Sequence, residues 1–304
     1  MKWFTDPRAH PTDYGRLLSA PVIAAFAIAL ITAAIAYWIQ HHVAEPRAVR
    51  ALERLAETGP LALRLTLGVS LLAAAVADWL FVPSLPLTPD TGGALLRGTE
   101  VICGLLIATG AFMRFAAVVL AVLGAIAMFP FNVESILEQV PILGIAIFLF
   151  IAGPGGVSVD ARRRAAGAVR HDLAPAAAVN LLRVAMGFGI AYNALTEKLL
   201  NPALSQALLD AMPFLNLLRA VGVSDGAFIW LAGLTELVVG VVILSGQLTR
   251  PVMAIGFVLF TVTLAVFGLP ELIGHLPYYG IMLTLFIAPT GDSWHVRRAL
   301  QRAA

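Results

Sequence analysis

The 304-residue chain is poor in charge: 12% of its residues are Asp, Glu, Lys or Arg, against 60% hydrophobic. A soluble domain carries about 25% charged residues, so a water-soluble enzyme is excluded first. Cysteine is almost missing. Cys103 alone permits neither an internal disulfide nor a self-contained dithiol relay, each of which needs two thiols. Net charge is only +2 and the basic residues are scattered, which excludes nucleic acid as a partner. There is no GxxxxGK phosphate loop and no dinucleotide motif in a βαβ setting. The histidines stand at 10, 41, 42, 171, 275 and 295. Only His275 falls in an apolar stretch, so a bis-histidine haem between helices is excluded. His41 and His42 lack the partner spacing of a zinc site, and no metal site is expected.

What the chain has instead is long apolar runs. They lie at about 20–40, 61–82, 94–112, 115–130, 137–153, 179–200, 227–247, 251–268 and 271–289. A membrane helix needs about 20 apolar residues, and the fourth and fifth runs are short. Backbone in hydrocarbon must bond to itself, so the runs are expected as helices. A β-barrel would show alternation, which Val118–Met128 lacks. The first run is too long and too far from the start for a cleaved signal peptide and reads as an anchor helix. The lipid bilayer is therefore an expected partner. With nine spans, one side holds fourteen of the twenty Lys and Arg residues, and the other holds Lys2, Arg8, Arg16, Arg97, Lys198 and Arg219. The positive-inside rule then places the C-terminus in the cytoplasm. The expected location is a bacterial or archaeal cytoplasmic membrane.

The middle of the chain repeats in its C-terminal part. An offset of 136 aligns Thr99 with Thr235, Glu100 with Glu236, Gly104 with Gly240, Gly110 with Gly246 and Arg114 with Arg250. It continues through Pro141 with Pro277 and Gly144 with Gly280. The first helix of each half aligns at an offset of 119: Arg64 with Arg183, Gly68 with Gly187, Asp78 with Glu197 and Pro83 with Pro202. The second copy carries 17 extra residues within about 203–226. Each copy has four helices, so both share one topology about an axis along the membrane normal. The expected fold is all-α and integral to the membrane: an N-terminal part with tail, anchor helix and loop (1–60), repeats at 61–160 and 179–295, a linker at 161–178 and a basic tail at 296–304.

The segments LLRVAMGFGIAYNALTEKL (181–199), LTELVVGVVILSGQLTR (234–250) and LFIAPTGDS (285–293), with GTEVICGLLIATGAFMR (98–114) and LFIAGPGGVS (149–158) in the first copy, resemble the DoxX-like family of small four-helix membrane proteins. The resemblance covers about 60–295 in two copies. It implies a subunit of a redox-linked membrane complex, such as the membrane component of a thiosulfate:quinone oxidoreductase, with quinone and other membrane or membrane-associated redox proteins as partners. The first copy departs from the pattern, since Trp79 stands where the second has Lys198.

An ionisable residue inside a membrane helix is a functional candidate by default. Glu236 lies deepest by sequence, and Glu197 and Lys198 end the preceding helix. Lys198 can reach Glu236 by snorkelling inward. These three are the candidate catalytic residues, as a buried ion pair beside a ligand or proton site or as a structural pair that fixes register. In the first copy, Arg97 and Glu100 are three apart and are expected to neutralise each other. Glu271, His275, Tyr278 and Tyr279 open the ninth run and are the candidate quinone-binding residues, histidine being apt for proton exchange near neutral pH. Interfacial tyrosines are also common belt residues. Arg114 and Arg250 sit in expected turns, where they set topology or hold an anionic headgroup. Three function classes remain: a redox-linked subunit, a non-catalytic scaffold or assembly protein, and a small-solute carrier.

Overall fold

The computed structural model describes residues 2–43, 45–163 and 174–288. The expected linker at 161–178 lies largely outside them, and the tail at 296–304 lies wholly outside. Among the described residues the chain is all-helical, with no strand. The main helices are α1 (Ala20–His42), α2 (Gly59–Val76), α3 (Thr91–Thr109), α4 (Met113–Ala127), α5 (Val140–Ala152), α6 (Ala176–Ala194), α7 (Asp225–Ser245), α8 (Thr249–Phe267) and α9 (Leu269–Ile287).

Among the described residues six stretches are long and apolar enough to cross a membrane: Ala20–His42, Ala51–Val76, Thr91–Thr109, Ala176–Leu199, Asp225–Ser245 and Thr249–Phe267. The other three expected spans fall short for identifiable reasons. At 15 and 13 residues, α4 and α5 reach about 22 and 20 Å at 1.5 Å per residue, less than a hydrocarbon core of about 30 Å. Helix α9 is long enough but carries Pro270, Glu271, His275, Pro277 and two tyrosines. The second run also ends early. Helix α2 stops at Val76, because Asp78 and Phe81 both take left-handed backbone (φ 56° and 67°) and turn 77–82 into a loop.

Helices α2, α5, α6 and α9 form the centre, with α2 against α9 and α5 against α6. Helix α3 packs on α2, α7 packs on α6, and α1 lies along α7. Small residues make the close approaches. A Cβ on Gly144 would strike the Ala185 side chain, and one on Gly280 would strike Thr66. The four residues are two aligned pairs, Gly144 with Gly280 and Thr66 with Ala185. The same exchange recurs one turn away: Pro141 packs on Gly189, while Ser70, aligned with Gly189, donates to the Ile273 carbonyl at 2.7 Å. That carbonyl is the one Pro277 leaves without an intrahelical donor, four residues on. Aligned arginines behave alike as well. Arg64 donates to the Ala108 carbonyl at 3.4 Å and Arg183 to the Leu244 carbonyl at 2.7 Å, at the C-terminal ends of α3 and α7. Such carbonyls lack intrahelical donors.

The polar ends differ. At one end Arg250 is 1% exposed and fully engaged. It pairs with Glu45 (2.7 Å) and Glu53 (2.8 Å) and donates to the Phe286 and Ala288 carbonyls (2.9 and 2.7 Å). Arg250, expected in a turn to set topology or hold a headgroup, is thus a buried clamp between the 45–58 segment and the end of α9. Arg114 is exposed. The opposite end carries the N-terminal segment and the candidate site.

Candidate functional site

The α6 helix does not stop cleanly. Its last turn, Leu195–Leu199, widens into a π-helix in which the Leu200 N–H donates to the Leu195 carbonyl at 2.8 Å. Single π turns of this kind recur at functional sites. Here the turn brings Thr196 and Lys198 to the interior, where both are buried. Lys198 Nζ lies 2.8 Å from Glu236 Oε2 on α7 and 3.7 Å from Glu197 Oε2. The three residues expected to act together are therefore adjacent. Glu236, however, is not the most enclosed acid. Its side chain is 40% exposed, whereas Glu100 on α3 is 0% exposed. The expected Arg97–Glu100 neutralisation does not form either. Arg97 bonds Asp78, which the loop after α2 delivers to it.

The sequence reading missed the group that organises this end. Lys2 is 5% exposed. Its ammonium bonds Glu134 Oε1 at 2.5 Å and also Glu138, and its backbone N–H donates to Glu197 Oε1 at 3.3 Å. Thr196 Oγ1 donates to Glu138 at 2.9 Å. Thr12 and Tyr14 donate to Glu134 at 2.9 and 2.5 Å. Glu134 and Glu138 are four apart at the entry to α5, a spacing that puts both on one helical face and that offered the only sequence signal. Burial pushes the Glu134 carboxyl up, but the Lys2 and Tyr14 hydrogen bonds and the Lys2 charge outweigh it and hold it below its ordinary value. Burial and the same carboxylate push the Tyr14 phenol well above its ordinary range.

The sign of that Glu134 shift sets a pH dependence. A carboxyl depressed on folding contributes stability that is complete above its unfolded value, near 4.3, and lost as pH falls through the folded value. Thermal stability should therefore fall below about pH 4.3. Glu134→Gln should flatten that acid limb; an unchanged limb would show that Glu134 has no part in it.

The residues expected to hold quinone are placed as follows. His275 Nδ1 is 3.2 Å from Glu271 Oε1. The His275 ring is packed between Trp3 (4.8 Å between centroids) and Phe260 (4.4 Å). Tyr278 is buried, its ring 5.5 Å from that of Phe260 and 5.8 Å from that of His275 between centroids. Tyr279 turns the other way, to Thr261 at 3.3 Å. Cys103 is buried. Trp230 donates to the Pro21 carbonyl at 3.1 Å, tying α7 to α1. Among the described residues no group of three or more His, Cys, Asp or Glu residues could hold a metal ion.

A cavity of about 1090 Å³ opens beside the cluster. Leu96 of α3 and Val119, Leu123 and Ile126 of α4 form its apolar wall, while Lys2, Tyr14 and Glu134 form a polar end. Ligand pockets are mostly apolar with a few convergent polar groups, at about 300–1,000 Å³. Nothing in the sequence announces this cavity, because its walls come from three separated segments, 2–14, 84–99 and 119–135. Comparison with protein-family models, curated proteins and solved structures returns no match.

Proposed function

We propose that the chain is an integral membrane subunit of a redox-linked complex, similar to DoxX-like proteins, and that it receives a quinone in the cavity beside Lys2. The observation that carries this reading is the cavity itself: an apolar wall from α3 and α4, and a polar end where Tyr14 and Lys2 meet on Glu134. An isoprenoid quinone has a carbonyl-bearing ring and an apolar tail. The tail suits the wall, and a ring carbonyl suits the third ammonium hydrogen of Lys2, with Tyr14, whose O–H is engaged by Glu134, beside it. Helix residues Leu95 and Val122, which also line the cavity, are 67% and 50% exposed, which fits entry from the lipid. The cluster continues from Glu134 through Lys2 to Glu138 and Thr196, and Tyr278, buried beside His275 and Phe260, belongs to this proposal as a neighbour on the same end. His275, Glu271 and Tyr279 form the packed flank of the same end. No redox cofactor is required of the chain, since quinone and a partner protein carry the electrons.

In this reading the chain is multi-pass, with an anchor helix and two tandem four-helix units. The reciprocal contacts of Gly144 with Ala185 and of Gly280 with Thr66 support the duplication. The basic-residue split supports a C-terminus on the cytoplasmic side of a bacterial or archaeal membrane, with the Lys2 end outside.

The test is purification in mild detergent followed by quinone extraction. Quinone should accompany the unmodified protein, and Val119→Trp, which fills the cavity, should remove most of it at nearly unchanged thermal stability. Equal quinone in both proteins, or none in either, would contradict the proposal. A scaffold role is the second reading. It is favoured by Lys2 and Lys198 each being bracketed by two carboxylates, a closed network that can serve assembly alone. It predicts that cluster variants lower complex yield and leave turnover per complex unchanged.

A further inference from the structure

We propose that Glu100 is a proton-binding site within the membrane, carried as a neutral carboxylic acid and able to release its proton to water. Glu100 is the tenth residue of the 19-residue α3, about 14 Å from the helix start at 1.5 Å per residue. It is 0% exposed. Oε1 accepts the Phe81 N–H at 2.8 Å, and Oε2 is buried with no hydrogen-bond partner.

Among the described residues no cation stands opposite. Arg97, one turn earlier, is taken by Asp78. On α2 the only charged residue is Arg64, which bonds the Ala108 carbonyl, eight residues and about 12 Å farther along α3. On α4 the only charged residue is Arg114, exposed near the first turn. Helix α5 has no charged residue, and the nearest titratable group on α3 itself is Cys103. In the loop over Glu100 the acids are Asp78 and Asp90; the latter caps α3 by accepting from the Gly93 N–H at 2.7 Å. The aligned residue Glu236 has Lys198; the position aligned with Lys198 holds Trp79. An isolated carboxylate in apolar surroundings costs far more than its protonation, so the acid form occupies this site.

The loop supplies a way in. Phe81, the donor to Glu100, and Asp78, the partner of Arg97, both take left-handed backbone, which non-glycine residues hold only when neighbours enforce it. Breaking the Asp78–Arg97 bond frees the loop, admits water, and lets the O–H bond of the acid break with its proton passing to water and its electron pair staying on Oε2. Loop closure reverses the step.

The test uses the full chain in lipid vesicles, treated with the apolar reagent dicyclohexylcarbodiimide, across whose C=N bond a protonated carboxyl adds to give a stable N-acylurea, and mapped by mass spectrometry. Glu100 should carry an adduct whose yield falls as pH rises, while Glu236 stays unmodified. Glu100→Gln should retain the parent melting temperature, because an amide replaces a neutral acid of the same shape. Absence of a Glu100 adduct at mildly acidic pH, in a sample whose exposed Glu57 reacts, would overturn the proposal. So would protection by sodium ions at fixed pH, which would make the ligand a metal cation. If Glu100→Gln does not fold, the labelling of the unmodified chain decides alone.

Discussion

Lys198→Met is expected to be the most damaging single change at the Lys2 end. Lys198 is nearly enclosed, its side chain 6% exposed, and it lies between Glu236 at 2.8 Å and Glu197 at 3.7 Å. Removing it leaves two carboxylates facing a vacated, largely apolar position. Breaking a buried pair by deleting one partner costs about 3–5 kcal/mol. Glu236→Gln should cost less, about 1–2 kcal/mol, because Glu197 still compensates the ammonium and a partly exposed partner is screened. The double variant should be more stable than Lys198→Met alone, since the remaining Glu197 keeps its bond from the Lys2 N–H. Detergent thermal unfolding of the four proteins measures the coupling. Additive losses would mean that the pair does not interact. Activity separates its roles. If the pair only sets helix register, the double variant regains turnover; if it moves protons for quinone chemistry, the double variant folds and stays inactive.

A comparable loss is expected at the opposite end from Arg250→Met. The guanidinium is 1% exposed and satisfies two carboxylates and two carbonyls at once. Its removal leaves Glu45 and Glu53 unpaired by it and takes the donors from the last carbonyls of α9, for about 3–5 kcal/mol. Arg250→Lys keeps the charge, but one nitrogen cannot span four acceptors as the planar fork does, so it should recover only part of the loss. The 45–58 segment reports this directly. It contains Arg47, Arg50 and Arg54, so trypsin should cut there faster in Arg250→Met than in the unmodified protein. Equal cutting would show that the segment is held by something else.

The difference between what could and could not be read from the sequence has physical causes. Uninterrupted apolar runs such as Ala20–His42 and Asp225–Ser245 announce helices, because hydrocarbon leaves the backbone no other way to bond. A lone lysine and a lone glutamate in such runs announce a pair, which is why Lys198 and Glu236 were legible together. Arg97 and Glu100 misled because helical spacing permits their contact, while a loop from outside the helix supplies Asp78 instead. Lys2, Glu134 and Glu138 were illegible as a site because residue 2 and residues 134–138 meet only through the tertiary fold. The end of α2 was overrun for a similar reason. Phe81 and Val82 are apolar and buried, but as loop residues packed inward rather than as another helical turn.

The proposed quinone seat lies between Tyr14, Lys2 and Glu134. A photoreactive quinone analogue, activated on the purified protein and mapped by peptide mass spectrometry, addresses that seat directly. Labels should fall on the cavity walls, within 84–99 and 119–135, and should fade when unlabelled quinone competes or Val119→Trp fills the space. Labels confined to 257–279, around Phe260, His275 and Tyr279, or labels that no competitor displaces, would contradict it.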